Sequence, residues 1–410
     1  MSNSLDNVLR ERALQVVPGG MWGHMNAKNL PDGYPQFFAR SQGTKLWDVD
    51  GNEYIDFMCS WGPAILGYHN AEVDEAALKQ LRQGDVMNGP GEVVVRLAEL
   101  LVDMLPHADW AQFEKNGSDA TTTAVTIARA GTGRRKILVA KGAYHGAVPW
   151  CSPSLVGVTA EDRAHLLTFD YNNAESLQRT VAEAGQDVAA ILVSAFKHDY
   201  GVDQELPTPE FARAARAAAN AADAALIIDD VRAGFRLNLG GSWEHLGVRP
   251  DLSAWSKAIA NGYPLAAVTG NNRFRAAAES LFSTGSFWYG AQSMAAAEAT
   301  LTILRRDAAV AHMERMGALL RKGLASLSKT YDIAIRQTGP AQMPLVIFND
   351  DVDTRKGFAF CSATIKAGIY FHPLHNMFMS AAHTPDDIAR ALDAAEKGFL
   401  AVRALSSKAA

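Results

Sequence analysis

From about residue 75 to residue 270 helical segments alternate with short, unbroken apolar runs, and nothing else in the chain restricts its fold so much. The runs are KILVA (136–140), AAILVSA (189–195), AALIID (224–229) and LAAVTG (265–270). Short strands that are apolar throughout and separated by helices read as a parallel sheet buried on both faces. One intervening helix opens at Thr208-Pro209, a capping residue followed by proline at the first helical position. Ligands of such sheets collect at the carboxyl ends of the strands, so functional residues are expected just after these runs.

The flanks read differently. Leu5, Val8, Leu9, Ala13 and Val16 share one stripe of an N-terminal helix, which ends at Pro18-Gly19-Gly20. TKLWDVDGNEYIDF reads as a β-hairpin turning at Asp50-Gly51-Asn52, where glycine takes the positive φ of a tight turn. From Ala291 a long helix, two weaker strands near Ile333–Arg336 and Pro344–Phe348, and a last helix opened by Thr384-Pro385 form a smaller α+β unit. A length of 410 residues accommodates this division. The expected organisation is residues 1–60 packing with the small domain, 61–295 as the large domain, and 296–410 as the small C-terminal domain.

Charge and cysteine usage exclude several classes. The 39 basic and 44 acidic residues are interspersed, and no basic tract marks a nucleic-acid or anionic-membrane partner. No run approaches the roughly 20 apolar residues of a membrane span, and the start lacks the apolar core of a signal peptide. Cys59, Cys151 and Cys361 are odd in number and far apart, which fits a reducing cytoplasm and offers neither a disulfide frame nor a metal site. The P-loop, HExxH, GxSxG, CxxC and strand-following GxGxxG signatures are missing. Gly131-Thr132-Gly133-Arg134 precedes a strand and reads as a turn.

Four segments carry chemistry. In EKNGSDATTTAVTIARA, Asn116-Gly117-Ser118-Asp119 heads a helix, where unpaired N–H groups suit a phosphate; an ordinary Asn or Ser cap reads the same way. In AALIIDDVRAGFR, Asp229 and Asp230 end a buried run; alternation lets one meet a cation in the crevice while the other turns away. Lys257 follows Asp229 by 28 residues amid Trp255, Ala258 and Ile259. Desolvation there favours a free amine able to attack a carbonyl, whereas a lysine that snorkels to the surface would be chemically idle. AKGAYHGAVPW places Tyr144 and His145 after a strand, where an aromatic face can stack on a planar ligand or simply fill the core.

Taken in order, these segments resemble the class III, fold-type I pyridoxal-phosphate aminotransferases, in the branch that contains glutamate-1-semialdehyde aminomutase. LWDVDGNEYIDF, SWGPAILGYHNAEV, TGSFWYGAQSMAAAEA and FMSAAHTPDDI extend the likeness over nearly the whole chain. The resemblance implies an α/β fold with a mixed, mostly parallel seven-stranded sheet, and pyridoxal 5'-phosphate as cofactor. It implies Lys257 for covalent attachment and proton transfer, Asp229 for the pyridine nitrogen, and Gly117 and Ser118 for the phosphate. Tyr144 and Val231 would flank the ring, with His145 beside them. Ser286 matches a hydroxyl that the family supplies from the neighbouring subunit, which implies a homodimer with shared active sites.

The departures favour an aminotransferase, taking an amine donor and a 2-oxo acid such as pyruvate, over the alternative of an aminomutase-type isomerase. Asn26 stands where aminomutases carry an arginine for the substrate carboxylate, and the segment between Gly146 and Asp170 is shorter than their mobile loop. The family's Glu-Pro after the 190s strand is here Ser194-Ala195. KNGSDATTTA, DDVRAGFR, TGSFW, QTGPAQMP and HPLHNMFMSAAHT are similar to the aminotransferases that deaminate hydrolysed fumonisin, a long-chain amino-polyol. Trp22, Trp61, Trp288 and Tyr289 suit a bulky or extended amine, although Trp22 and Trp61 serve equally as interface or core residues. His375 and Asn376 are candidates for the pocket or for structural hydrogen bonds. Arg232 is the candidate for the acceptor carboxylate, with Arg236 left open.

Overall fold

The structure is a computed structural model describing residues 4–409, with side chains through residue 405. The chain divides into two compact units, one of Met1–Asn70, Tyr200–Asp203 and Ala311–Ala410, the other of Ala71–Asp199 and Gln204–Val310.

The first unit begins with α1 (Ser4–Val16), then β1 (Phe38–Gln42), β2 (Lys45–Asp48) and β3 (Glu53–Asp56). The apolar stripe expected to hold α1 does not do so: Leu5, Val8 and Val16 are exposed. Its buried residue is Asp6, whose carboxylate accepts the N–H groups of Gln36 and Phe37 at 2.8 Å and pairs with Arg10 at 2.7 Å. A buried charge with these partners replaces apolar contact as the anchor. The β2–β3 hairpin forms as read, with Leu46 opposite Tyr54.

The second unit carries α2 (Ala71–Gln83), α3 (Val93–Met104), β4 (Trp110–Glu114), α4 (Gly117–Thr132), β5 (Lys136–Ala140), α5 (Ala160–Arg163), β6 (Leu166–Phe169) and α6 (Ala174–Ala184). There follow β7 (Val188–Ser194), α7 (Pro209–Ala221), β8 (Ala225–Asp229), β9 (Leu252–Trp255), β10 (Ala266–Gly270), α8 (Arg275–Ser280) and α9 (Ala291–Arg306). Its seven strands lie in the order β4-β10-β9-β8-β7-β5-β6. Alternation splits the strand residues between two faces: Ile137, Val139, Leu192 and Ile227 pack with Ala120, Ala124 and Ile127 of α4. Leu138, Ile191, Val193 and Ile228 pack with Leu177 of α6 and Phe211 of α7. Each Ile, Leu, Val or Phe among these contributes roughly 1.5–3 kcal/mol on burial.

Two readings need correction. LAAVTG forms β10 but runs antiparallel to both neighbours, β9 and β4. Only residues 256–265 separate it from β9, too few for the helical crossover that a parallel return requires. The other six strands share one direction. Gly131-Thr132 is not a turn but the end of α4, with Gly133 as its left-handed C-cap.

After α10 (Ala309–Tyr331) come β11 (Ile335–Thr338), β12 (Leu345–Phe348), α11 (Arg355–Lys366), β13 (Ile369–Tyr370) and α12 (Pro385–Ala409). β13 adds in parallel beside β3, which joins the two ends of the chain in one four-stranded sheet, β1-β2-β3-β13. Thr384 and Asp387 exchange hydrogen bonds at the head of α12, as the capping sequence requires.

Candidate active site

The carboxyl ends of β4, β5, β8 and β9 lie along one edge of the large sheet, and the segments that follow them bring Ser118, His145, Asp229 and Lys257 near one another. Asp229 ends β8 between Ser194 of β7 and Ala254 of β9. Its Oδ2 bonds His145 Nδ1 at 2.7 Å, and its Oδ1 accepts the Val231 N–H at 3.0 Å. Both residues of this hydrogen-bonded pair are buried. Asp230 turns the other way and accepts the Ser242 N–H at 3.1 Å, with burial raising its carboxyl to about 7. The alternation of strand side chains thus separates the two carboxyl groups.

Lys257 follows β9 as the first residue of a short 3₁₀ turn and has φ of 51°, a left-handed conformation that costs a non-glycine residue of order 1–3 kcal/mol. Burial lowers its amine to about 7; the Arg232 cation acts in the same sense and Asp229 opposes it. At neutral pH much of this side chain is therefore a free amine. Arg232 is itself lowered to about 10, first by burial, and Asp229, Tyr144 and Asp199 counter this. Its guanidinium donates to the His198 carbonyl at 3.4 Å. Arg236, in contrast, is fully buried, which withdraws it as a group for an incoming carboxylate.

The head of α4 approaches this group closely. Asn116 caps the helix by accepting the Asp119 N–H at 3.0 Å, while Gly117 and Ser118 occupy its first turn, where helix N–H groups lack intrahelical partners. A Cβ on Gly117 would stand 2.7 Å from Val231 Cγ1. A Cβ on Gly146 would stand 2.7 Å from Ser118 Oγ, the atom that accepts the Ala147 N–H at 3.1 Å. Glycine at these two places lets the helix head, the loop after β5 and the residue after Asp229 meet. Tyr144 in that loop is partly exposed, and the Thr121 hydroxyl donates to the His145 carbonyl at 2.6 Å.

The structure thus brings Gly117, Ser118, Tyr144, His145, Asp229, Val231, Arg232 and Lys257 together in the second unit. Ser286, Trp288 and Tyr289 lie in the segment 282–289, where Ser286 is exposed. Trp22 is exposed in the first unit, at 71%. Trp61 and His375 belong to an imidazole–indole cluster in that unit, their rings 5.1 Å apart. His375 Nδ1 bonds the Asn376 carbonyl at 2.7 Å, and Asn376 donates to the Met377 carbonyl, so both make the structural bonds considered above. Asn26 donates to the Gly19 and Met21 carbonyls and accepts the Lys28 N–H, using its amide to close the glycine turn.

Sequence reading missed His198. It is buried, burial and the nearby Arg232 drive its imidazole far below the usual range, and its Nδ1 has no hydrogen-bond partner. Position was the available signal, since it lies four residues beyond the end of β7.

The chain matches the class-III aminotransferase family over residues 28–394 and belongs to it. It is 50% identical to the aminopentol aminotransferase of Sphingopyxis macrogoltabida over 394 residues, covering 96% of this chain and 93% of that protein. A glutamate-1-semialdehyde 2,1-aminomutase of Desulforamulus reducens is 32% identical over 418 residues, covering 95% and 96%. The solved FumI protein of Sphingopyxis sp. MTA144, in its PLP internal aldimine form, superposes with a TM-score of 0.97 at 49% identity, covering 99% of this chain and 98% of that one. The fold is accordingly fold-type I, as the resemblance implied.

Proposed function

We propose that the chain is a pyridoxal 5'-phosphate-dependent aminotransferase that moves an amino group from a long-chain or bulky primary amine to a 2-oxo acid such as pyruvate. The observation that carries this reading is a lysine with its amine lowered to about 7, grouped with an Asp–His pair at the carboxyl edge of the sheet. The residues fit the cofactor. Gly117 and Ser118 offer helix-head N–H groups and a hydroxyl for the phosphate, Asp229 an anion for the pyridine nitrogen, and Tyr144 and Val231 surfaces for the ring faces. Bound pyridoxal phosphate supplies an electron sink for a carbanion at the amine-bearing carbon.

The side chains supply the rest. Lys257 Nζ takes the proton from that carbon and returns it on the other side of the transfer. His145, through Nδ1, holds the Asp229 carboxylate in orientation, and Arg232 offers a guanidinium to the acceptor carboxylate. An aminomutase reading is disfavoured by Asn26, whose amide is spent on backbone groups, and by the higher identity to an aminotransferase.

The reading includes a homodimer in which Ser286 of the partner subunit reaches the phosphate. Phe282 and Phe287, 97% and 66% exposed beside Ser286, support it, since apolar surface of this kind marks an interaction site. It also includes a cytoplasmic location, supported by three buried free thiols. Among the described residues no helix is long and apolar enough to cross a membrane.

A panel of amines with pyruvate, followed by cofactor absorbance and product amino acid, tests the function. Sustained turnover is expected only with the 2-oxo acid present; continued isomerisation without it would sink the proposal. Capture of cofactor by apoprotein should quicken about tenfold per pH unit up to about 7 and then level off, because protonated Nζ has no lone pair. Stopped-flow absorbance across pH 5–9 checks this, and a flat profile contradicts it. Gly117→Ala should weaken cofactor binding about tenfold, since crowding costs of order 1–3 kcal/mol. Added Val231→Ala should restore part of that affinity in equilibrium titrations.

A further inference from the structure

His198 follows the end of β7 by four residues and lies in the second unit, with Arg232 and Lys257. Its backbone is held on both sides. Lys197 and Glu205 exchange N–H···O bonds at 2.9 and 3.1 Å, and the His198 carbonyl accepts the Arg232 guanidinium at 3.4 Å. The imidazole is 8% exposed and stands nearly edge-on to Phe196, the ring centroids 5.2 Å apart. It is close enough to Arg232, Lys257 and His145 for each to act on it electrostatically. Its Nδ1 is nevertheless buried without a hydrogen-bond partner.

Packing does not call for histidine at this place. A leucine fills a similar volume beside Phe196, whereas a buried nitrogen left unsatisfied carries the full cost of its lost hydration. Buried polar groups are paired as a rule, so this one has a use for a partner. The ring does not serve as a cation: burial first, then Arg232, holds it in the neutral form. A neutral imidazole carries a single proton on either nitrogen, and with that proton on Nδ1 the side chain is an uncharged donor. A carboxylate attracted to Arg232 is the group such a donor suits. Asp229 and Asp199 already act on the Arg232 cation, which weakens its pull on another anion. A neutral N–H adds to the hold on a carboxylate without placing a further cation near the Lys257 amine.

We infer that the His198 imidazole is a second donor to the carboxylate of the 2-oxo acid, alongside the Arg232 guanidinium. The inference rests on the proposed transamination and on Arg232 as the cation for the acceptor. It adds a residue that selects 2-oxo acids over carbonyl acceptors lacking a carboxylate.

Two near-isosteric substitutions test it in the holoenzyme, with one amine donor fixed and pyruvate compared with propanal, which has no carboxylate. His198→Leu removes the N–H, while His198→Asn keeps an amide nitrogen as donor. The native protein should favour pyruvate over propanal at least about tenfold in kcat/KM. His198→Leu should lower kcat/KM for pyruvate about tenfold, equivalent to about 1.4 kcal/mol, and leave that for propanal and for the amine within about twofold. His198→Asn should keep kcat/KM for pyruvate within about threefold of native. Should the leucine variant melt early, His198→Phe carries the same expectation. Equal values for the leucine and asparagine variants with pyruvate, or equal losses with both acceptors, overturn the donor role of His198. Arg232→Met separates this from the reading beneath it. If Arg232→Met lowers kcat/KM for pyruvate and His198→Leu does not, only the inference about His198 falls. If Arg232→Met leaves pyruvate unaffected, the acceptor role of Arg232 falls and the inference with it. No turnover of any amine with any 2-oxo acid overturns the proposed activity itself.

Discussion

Lys257→Ala should lower turnover about 10⁴-fold or more while leaving the thermal melt close to that of the native chain. The activity loss is large because one nitrogen serves as both attachment point and proton carrier, and groups that act as a unit are not replaced by their neighbours. The stability change is small because Nζ is a desolvated amine, whose burial favours the neutral form over the charged one. The left-handed φ of 51° at this position persists for alanine, so the variant inherits the strain without relieving it. Cofactor should still bind through the phosphate and the Asp229 contact but lose the visible absorbance of its lysine-bound form. Borohydride trapping and peptide mapping give the complementary measurement: in the native chain the label should fall on the peptide containing Lys257. Label at another lysine, or a variant that keeps native turnover, would remove the basis of the proposed mechanism.

Lys257 and Asp229 could be read from sequence because each interrupts an apolar run with a charge, and such an interruption demands a reason. β5 and β8 were legible for the same cause in reverse, the burial of Ile137–Ala140 and Ala225–Ile228 on both faces leaving no polar residue inside either run to blur the pattern. β4 (WAQFE) and β9 (LSAW) were missed, the first because Gln112 and Glu114 break its apolarity and the second because it is four residues long. The direction of β10 depended on connection length, which its composition does not record. α1 shows how an apolar stripe misleads, since Asp6 holds that helix through backbone N–H groups some 30 residues away. The cluster around Trp61 was less accessible still. His372 stands more than 300 residues along the chain, and Ser-Trp has no propensity for the left-handed turn that brings the rings together. His198 was within reach of the rule that placed the other site residues after strands, yet without neighbours in view a lone histidine carries no signal of burial.

The second large effect is expected from Asp229→Asn, which preserves shape and removes the anion. The amide oxygen can still accept the Val231 N–H, which lies 3.0 Å from Oδ1, so the β8 end should keep its geometry. The remaining amide nitrogen is a donor, and it faces a problem on both sides. Toward His145 it meets Nδ1, which now has to change tautomer to accept. Toward the pyridine nitrogen it offers a hydrogen bond in place of a charge, so the protonated ring loses the opposite charge that favours it. A neighbouring anion of this kind is worth about 1–3 pKa units, which is about 10- to 10³-fold in the protonated fraction. Turnover should therefore fall at least about 100-fold, with a smaller change in cofactor affinity, because the phosphate contacts at Gly117 and Ser118 are untouched. A cofactor analogue methylated at the ring nitrogen, which is permanently cationic, separates charge from geometry. It should recover a measurable part of the activity in Asp229→Asn and none in Lys257→Ala. Should Asp229→Asn retain turnover within about threefold of native, the carboxylate is not what sustains the electron sink, and the role assigned to the Asp229–His145 pair is wrong.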